Sequence, residues 1–226
     1  MISSNQFNQE VFPLKSPTNF AWLLGVEINE LEEVAKKADS FYSPFVNKKG
    51  RDIDNPRHKL KVIQSKINKR ILTRYKFPEF VTGGVKGKKI QDHLSVHVQR
   101  PVVVTLDVKN CFPSISNDMV YKVWRNRLGC YPDTARLATR LTTFKGHVPL
   151  GAATSNLIAA LVLLPCLERV RCLTEEHGFC MRQFVDDTAL SGKVLKEDLI
   201  TEVCKEFSRH GLSIKRKKIC VMRSNK

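Results

Sequence analysis

The order of apolar and polar positions predicts a helical start, a short hairpin and then a basic helix. From Phe20 to Val34 apolar side chains recur every three to four positions, which predicts peripheral helices within residues 1–40. Residues 41–53 are predicted to form a hairpin, because β-prone runs flank the turn sequence Asn-Lys-Lys-Gly. Residues 58–73 are predicted to form an amphipathic helix whose apolar stripe is Leu60, Ile63, Ile67 and Ile71.

The second half of the chain alternates β-prone runs with helical segments. Strands are predicted over 102–107, 179–185 and 188–191, and residues 212–222 are predicted to form a last strand or turn. Helices are predicted over 119–128, 133–144, 154–176 and 197–210. Pro165 is expected to kink the third of these helices or to begin a new one. Together these elements predict an α+β fold in which helices cover one face of an antiparallel sheet.

Two adjacent carboxylates, Asp186 and Asp187, lie between the two strands of the predicted 179–191 hairpin. Such a pair is costly to bury unless a cation binds it, and a solvated acidic turn is the alternative. Asp107 ends another predicted strand and adds a third carboxylate from a separate element. Three carboxylates arranged in this way predict a two-metal site of the kind that catalyses phosphoryl transfer.

Four stretches, in this order, resemble the motifs of a reverse transcriptase of the retron and group II intron branch. Asp107 with Phe112 resembles the first palm motif, and Phe184-Val185-Asp186-Asp187 resembles the second. Residues 148–155 resemble the Leu-Pro-Gln-Gly motif between them, and 211–214 with Lys218 resemble the motif that follows. The resemblance covers roughly residues 40–222 and implies a polymerase palm with a basic fingers lobe. It also implies an RNA template, a DNA or RNA primer and deoxynucleotide substrates.

The resemblance implies roles for the palm residues. Asp107, Asp186 and Asp187 would hold two Mg²⁺ ions, or Mn²⁺ in their place, with the main-chain carbonyl of Val108 as a further ligand. Lys218 would protonate the leaving pyrophosphate, and an exposed basic run is the alternative. Phe112 would collide with a 2′-hydroxyl and so select deoxynucleotides, and ordinary core packing is its alternative.

The predicted fingers residues include one departure from the family pattern. Lys48 and Arg51 match the hairpin positions that hold the triphosphate, although a solvated basic turn would have the same composition. Leu150 stands where the family usually has Gln, whose side chain contacts nucleotide and template. Main-chain amides from Gly151 onward would still donate hydrogen bonds to a ligand. This substitution puts nucleotide binding in question but leaves the metal site unchanged.

The charge of the chain indicates a polyanionic partner. Lysine and arginine number 38 against 22 acids, which gives a net charge of +16, and the isoelectric point is about 9.7. The basic helix and a glycine-rich loop at 83–89 are predicted to contact nucleic acid backbone. The candidate residues are Lys59, Lys66, Lys69, Arg70, Lys86, Lys88 and Lys89. A charge run is often merely solvated, so this surface is a hypothesis.

The remaining composition argues against other classes of protein. Seven cysteines lack zinc-ligand spacing, and without a secretory signal they predict reduced thiols and a cytoplasmic location. The longest apolar run is shorter than the ~20 residues that span a bilayer, so no membrane partner is expected. His93 and His97 match a retron-type motif only in part, and both are expected to be structural.

The predicted organisation is a helical lead-in at 1–40, fingers at 41–100 and a palm at 101–226, with fingers elements returning near 116–150. The family usually continues into a primer grip and a helical thumb, which we expect a partner protein or further chain segment to supply. A retron-type enzyme would also have a structured non-coding RNA partner and a role in antiphage defence. Two alternatives remain: a non-catalytic RNA-binding module with the palm shape, and an RNA polymerase.

Overall fold

The computed structural model describes residues 14–224, which form two compact units. The first unit joins the chain up to Lys76 with Phe112–Val162, and the second joins Phe77–Cys111 with the chain from Leu163 onward. These divisions fall at other positions than the predicted domain boundaries. The first thirteen residues of the predicted lead-in lie outside the described residues.

Nine helices and six strands follow one another along the described part of the chain. The helices are α1 (Pro17–Leu24), α2 (Ile28–Lys36), α3 (His58–Arg70), α4 (Ile90–Leu94), α5 (Cys111–Ser114), α6 (Asn117–Lys122), α7 (Pro132–Thr142), α8 (Ser155–Glu176) and α9 (Glu197–Arg209). The strands are β1 (Tyr42–Val46), β2 (Asp52–Pro56), β3 (Val102–Asp107), β4 (Cys180–Phe184), β5 (Asp187–Gly192) and β6 (Cys220–Arg223). Short 3₁₀ turns and one π-helical turn at Val123–Arg127 connect some of these elements.

The first unit is a helical layer that carries the β1–β2 hairpin. Its helices pack through large buried side chains, such as Phe20 edge-on to Trp124 with ring centroids 6.0 Å apart. Gln64 on α3 is fully buried and donates from its amide to the Tyr42 hydroxyl at 2.8 Å and to the Leu141 carbonyl at 2.9 Å. These bonds fix α3 against both the hairpin and α7.

The second unit is built on a four-stranded antiparallel sheet with strand order β4-β5-β3-β6. Along β3 the side chains alternate, with Val102, Val104 and Leu106 buried and the residues between them half-buried. This period of two gives the sheet one core-facing side. The predicted α+β fold with an antiparallel sheet is therefore confirmed.

Two segments have alternative predictions from the sequence. A single helix, α8, continues through Pro165, so no new helix begins there. The segment 212–222, predicted as a strand or turn, has a 3₁₀ turn at Arg216–Lys218 followed by β6 from Cys220. None of the helices found within residues 14–224 is both long enough and apolar enough to cross a lipid bilayer.

Candidate active site

Antiparallel pairing brings carboxylates from two strands of the second unit together. Asp107 is the last residue of β3 and lies directly opposite Asp187, the first residue of β5. Asp186 precedes Asp187 in the β4–β5 turn, and its carbonyl accepts a hydrogen bond from the Val108 N–H at 3.2 Å. The three acids that the sequence singled out are thus neighbours at one end of the sheet.

The turn that carries the acids has an unusual main chain. Val185 has φ +57°, a left-handed conformation that a β-branched residue rarely adopts. Gln183 stabilises this turn: its side-chain amide donates to the Val185 carbonyl at 2.8 Å, and its side-chain oxygen accepts from the Thr188 hydroxyl. Gln183 is fully buried, and sequence reasoning did not single it out.

The glycine-rich loop packs against the same turn. The N–H groups of Thr82 and Gly83 donate to the Gln183 carbonyl at 2.9 and 3.3 Å. A Cβ atom on Gly83 would lie 2.1 Å from the Val185 nitrogen, so only glycine fits at this position. Gly83 therefore supports the acidic turn, while Lys86, Lys88 and Lys89 further along the loop are exposed.

The electrostatics of the site reflect three like charges at close range. Burial raises the pKa of the Asp187 carboxyl, and the neighbouring Asp186 and Asp107 raise it further, whereas Lys215 and Lys218 act in the opposite direction. Lys215 Nζ lies 2.9 Å from Asp107 Oδ1 and 3.2 Å from Oδ2. Lys218 Nζ lies 3.7 Å from Asp107 Oδ2. Sequence reasoning favoured Lys218, but Lys215 makes the closer contact.

The donor atoms of this site fit a hard divalent cation. Carboxylate oxygens are the ligands that Mg²⁺ prefers, and a cation would relieve the repulsion that, after burial, raises the pKa of Asp187. In the described part of the chain, however, no three His, Cys, Asp or Glu side chains are arranged as a ready-made metal site. The Lys215 ammonium instead neutralises Asp107, so metal binding would require these side chains to rearrange.

Comparison with known proteins shows which family this chain belongs to. The family model described as reverse transcriptase (RNA-dependent DNA polymerase) matches residues 35–226. The chain belongs to the reverse transcriptase family. The predicted family is thereby confirmed.

The curated relatives of this reverse transcriptase chain include three retron proteins. The retron Se72 reverse transcriptase of Salmonella heidelberg (strain 579083-10) is 30% identical over 199 residues, which are 85% of this chain and 52% of that protein. The retron Ec48 and Ec86 reverse transcriptases of Escherichia coli are 26% and 25% identical over 91% and 87% of this chain. The chain spans 52%, 55% and 63% of the length of these three relatives.

The predicted nucleotide-binding residues of this reverse transcriptase chain lie in the first unit. Lys48 and Arg51 are exposed at the β1–β2 turn, where the Asn47 side chain accepts hydrogen bonds from the Lys49 and Arg51 N–H groups. Phe112 lies in α5 and is only 8% exposed, so its alternative role in core packing has support.

The Leu150 position of the reverse transcriptase motif is held by its main chain. The Leu150 N–H donates to Asp54 Oδ2 at 3.1 Å, and the Leu150 carbonyl accepts from the Asp54 N–H at 2.7 Å. His147 Nε2 lies 3.3 Å from the same Asp54 oxygen. Gly151, with φ +124°, packs so tightly that a Cβ atom would lie 2.9 Å from Ile53 Cγ2. Asp54 is a second residue that sequence reasoning missed.

Most of the cationic residues predicted on α3 have partners within the first unit, and nucleic-acid contact by α3 stays a prediction. Lys59 forms an ion pair with Glu30 at 3.0 Å, Lys66 donates to the Gly25 carbonyl at 2.8 Å, and Arg70 donates to the Leu23 carbonyl at 2.9 Å. The last two contacts satisfy carbonyls at the C-terminal end of α1, where positive charge is favourable. Three of the four α3 candidates thus have partners within the first unit, and Lys69 stays a prediction.

The two histidines are buried, as expected for structural residues. His97 Nδ1 lies 2.8 Å from the Ser191 hydroxyl, and burial lowers its pKa to about 4, assisted by His93 and two arginines. His93 packs edge-on to Phe184 with centroids 5.7 Å apart. The seven cysteines are free thiols.

Proposed function

We propose that this chain carries the nucleotidyl-transfer centre of an RNA-directed DNA polymerase, which extends a primer with deoxynucleotides on an RNA template. The observation that carries this proposal is the register that pairs Asp107 with Asp187, with Asp186 beside them, in a chain of the reverse transcriptase family. The likeness to retron reverse transcriptases supports a retron-type enzyme with a structured RNA partner.

In this proposal the acidic residues bind the metal ions, and two nearby lysines assist them. Asp107, Asp186 and Asp187 would hold two Mg²⁺ ions. When bound, the ions would activate the primer 3′-hydroxyl and neutralise the triphosphate. Before the ions bind, Lys215 orients Asp107 through contacts to both carboxylate oxygens. Lys218, whose ammonium is more exposed, would protonate the leaving pyrophosphate.

Lys48 and Arg51 would bind the triphosphate from the fingers hairpin. Both are exposed, and the Asn47 side chain orders the main chain between them. The Lys ammonium supplies a point charge and the Arg guanidinium a bidentate fork. Phe112 would select deoxynucleotides, and Leu150 would contribute its shape without a side-chain hydrogen bond.

A non-catalytic RNA-binding module is the second candidate, and one observation favours it. The Lys215 ammonium contacts both oxygens of Asp107, an arrangement that stabilises the carboxylate without metal. The replacement of the family glutamine by Leu150 points the same way.

Primer extension tests the proposal. The wild type is assayed on an RNA template with deoxynucleotides and Mg²⁺ beside Asp186→Asn/Asp187→Asn, and Glu197→Gln/Asp198→Asn in the first turn of α9 is the charge-matched control. We expect extension by the wild type and the control, and loss of at least about 100-fold in the double mutant, since metal-site electrostatics carry most of the rate. An inactive wild type that still binds RNA would leave the binding module and a polymerase centre that needs a thumb from elsewhere, and adding a thumb segment in trans separates these two: restored extension supports the polymerase, and none supports the module.

A further inference from the structure

A groove in the first unit was not among the predicted nucleic-acid contacts. It has a volume of about 490 Å³ and lies between the end of α2, the start of α6 and the end of α7. Its polar lining includes Lys36, Lys37, Asp39, Asn117, Arg140 and Lys145.

The groove carries more positive than negative charge. Lys37 is paired with Glu33 at 3.3 Å. Lys36, Arg140 and Lys145 are exposed and form no ion pair within residues 14–224. Asp39 is the carboxylate of the lining, and its Oδ1 accepts a hydrogen bond from the Lys145 N–H at 3.2 Å. Three unpaired cations that converge on one depression favour an anionic ligand.

Lys145 occupies a main-chain position that ordinarily disfavours lysine. Phe144 and His147 exchange N–H to carbonyl hydrogen bonds of 2.8 and 3.0 Å, so Lys145 and Gly146 form a two-residue turn with φ +46° and +88°. A turn with two positive φ values favours asparagine or glycine at its first position. The Lys145 ammonium lies 5.3 Å from the Phe144 ring centroid, and this cation–π contact offsets part of the cost of having lysine at that turn position. The same side chain places a cation on the groove.

The walls of the groove are fixed by hydrogen bonds. Asp39 holds the Lys145 N–H, and the Asn117 N–H donates to the Gly146 carbonyl at 3.2 Å. Within residues 14–224 the lining contains no aromatic side chain, so the groove offers no aromatic surface for base stacking. An anion bound in the groove would be recognised by charge and not by its bases.

We propose that this groove binds the phosphodiester backbone of single-stranded RNA through Lys36, Arg140 and Lys145. The inference deepens the proposed function, because it rests on an RNA partner and assigns a surface to it. Arginine donates two parallel N–H hydrogen bonds to a phosphate, and each lysine adds a point charge. The groove supplies a binding surface that α3 supplies less well, since most α3 candidates are engaged within the protein.

The test is the salt dependence of RNA binding. A short fluorescein-labelled, unstructured single-stranded RNA is titrated by anisotropy at several KCl concentrations. Lys36→Gln/Arg140→Gln/Lys145→Gln is expected to reduce the slope of log affinity against log salt by about 2, because each lost phosphate contact removes about 0.7. Lys193→Gln/Lys196→Gln/Lys205→Gln, exposed in the second unit, removes the same net charge and should leave the slope unchanged.

A single variant separates binding from folding. Lys145→Asn places a favoured residue in the turn while removing the charge, so it should weaken RNA binding without loss of thermal stability. Equal losses in the two triple variants would overturn the proposal, as would a wild type that binds no RNA.

Polymerase activity is scored separately. If the wild type extends the primer but the salt slope of RNA binding is unchanged in the groove variant, the groove proposal is rejected and the polymerase proposal stands. If the salt slope changes but the wild type does not extend the primer, the polymerase proposal is rejected and the groove proposal stands.

Discussion

Each compact unit contains a turn whose main chain is bonded by one polar side chain. The two side chains differ in how far they lie from their turn in the sequence. In the second unit Gln183 holds the Val185 carbonyl and the Thr188 hydroxyl from two and five residues away. In the first unit Asp54 holds the Leu150 N–H from 96 residues away. One support is local in sequence, and the other exists only because the chain folds back on itself.

The two turns also differ in what they present. The turn held by Gln183 positions the carboxylates that define the candidate metal site. The turn held by Asp54 presents Leu150, whose side chain cannot donate or accept a hydrogen bond. The comparison shows that the Leu150 turn is supported independently of its side chain, because Asp54 binds the backbone and not the variable side chain.

The largest effect is expected from Gly83→Ala. The new Cβ would lie 2.1 Å from the Val185 nitrogen and 2.7 Å from the Phe184 carbonyl carbon, and neither main-chain atom can move aside cheaply. We expect the free energy of unfolding to fall by about 3 kcal/mol or more, measured by urea denaturation. Primer extension should be lost with it, since the acidic turn must shift.

Gly87→Ala is the matched control for this glycine. Gly87 belongs to the same loop and has φ +82°, but a Cβ there meets nothing within 4 Å. Its replacement should lower the free energy of unfolding by only about 1–2 kcal/mol, which is the cost of placing alanine in a left-handed conformation. If Gly83→Ala were no worse than Gly87→Ala, the close approach would not constrain the acidic turn.

A smaller effect is expected from Gln183→Leu. The substitution leaves the buried Thr188 hydroxyl and the Val185 carbonyl without their partner, which should cost about 2–3 kcal/mol of unfolding free energy. Adding Thr188→Val should restore about 1 kcal/mol, because the unpaired hydroxyl is then absent. Calorimetric stability of the single and double mutants measures this, and a double mutant no more stable than Gln183→Leu would rule out the proposed pairing.

Much of the second unit could be predicted because its signals are local. The alternation of Val102 to Leu106 and the two-residue turn before Asp187 are each contained in a few neighbouring positions, and they predicted the strands. The juxtaposition of Asp107 with Asp187 followed from placing one acid at the end of a strand and the other at a hairpin tip. At Pro165 the local signal leaves a kink and a new helix open, and the structure shows one helix, α8, that continues through the proline.

The partners of several polar side chains could not be predicted, because these contacts join positions distant in sequence. Lys66 and Arg70 bind carbonyls 41 and 47 residues away, which a helical wheel of α3 cannot show. Lys215 and Lys218 lie in the same basic run, and only the 3₁₀ turn at Arg216–Lys218 decides which is nearer to Asp107. Asp54 carried no sequence signal, since its partners are main-chain atoms of a distant loop.

The smallest effect is expected from Asp54→Ala, because its side chain is 14% exposed and water can replace part of what is lost. We expect a loss of about 1–2 kcal/mol of unfolding free energy. The sharper readout is hydrogen exchange of the Leu150 amide, which should accelerate when its acceptor is removed. Asp54→Asn retains one acceptor oxygen and should fall between Asp54→Ala and the wild type. Asp52→Ala, exposed on the same strand, should change stability by less than about 0.5 kcal/mol. Unchanged exchange at Leu150 in Asp54→Ala would mean that the loop keeps its shape through Gly151 packing alone, and the long-range support would then be dispensable.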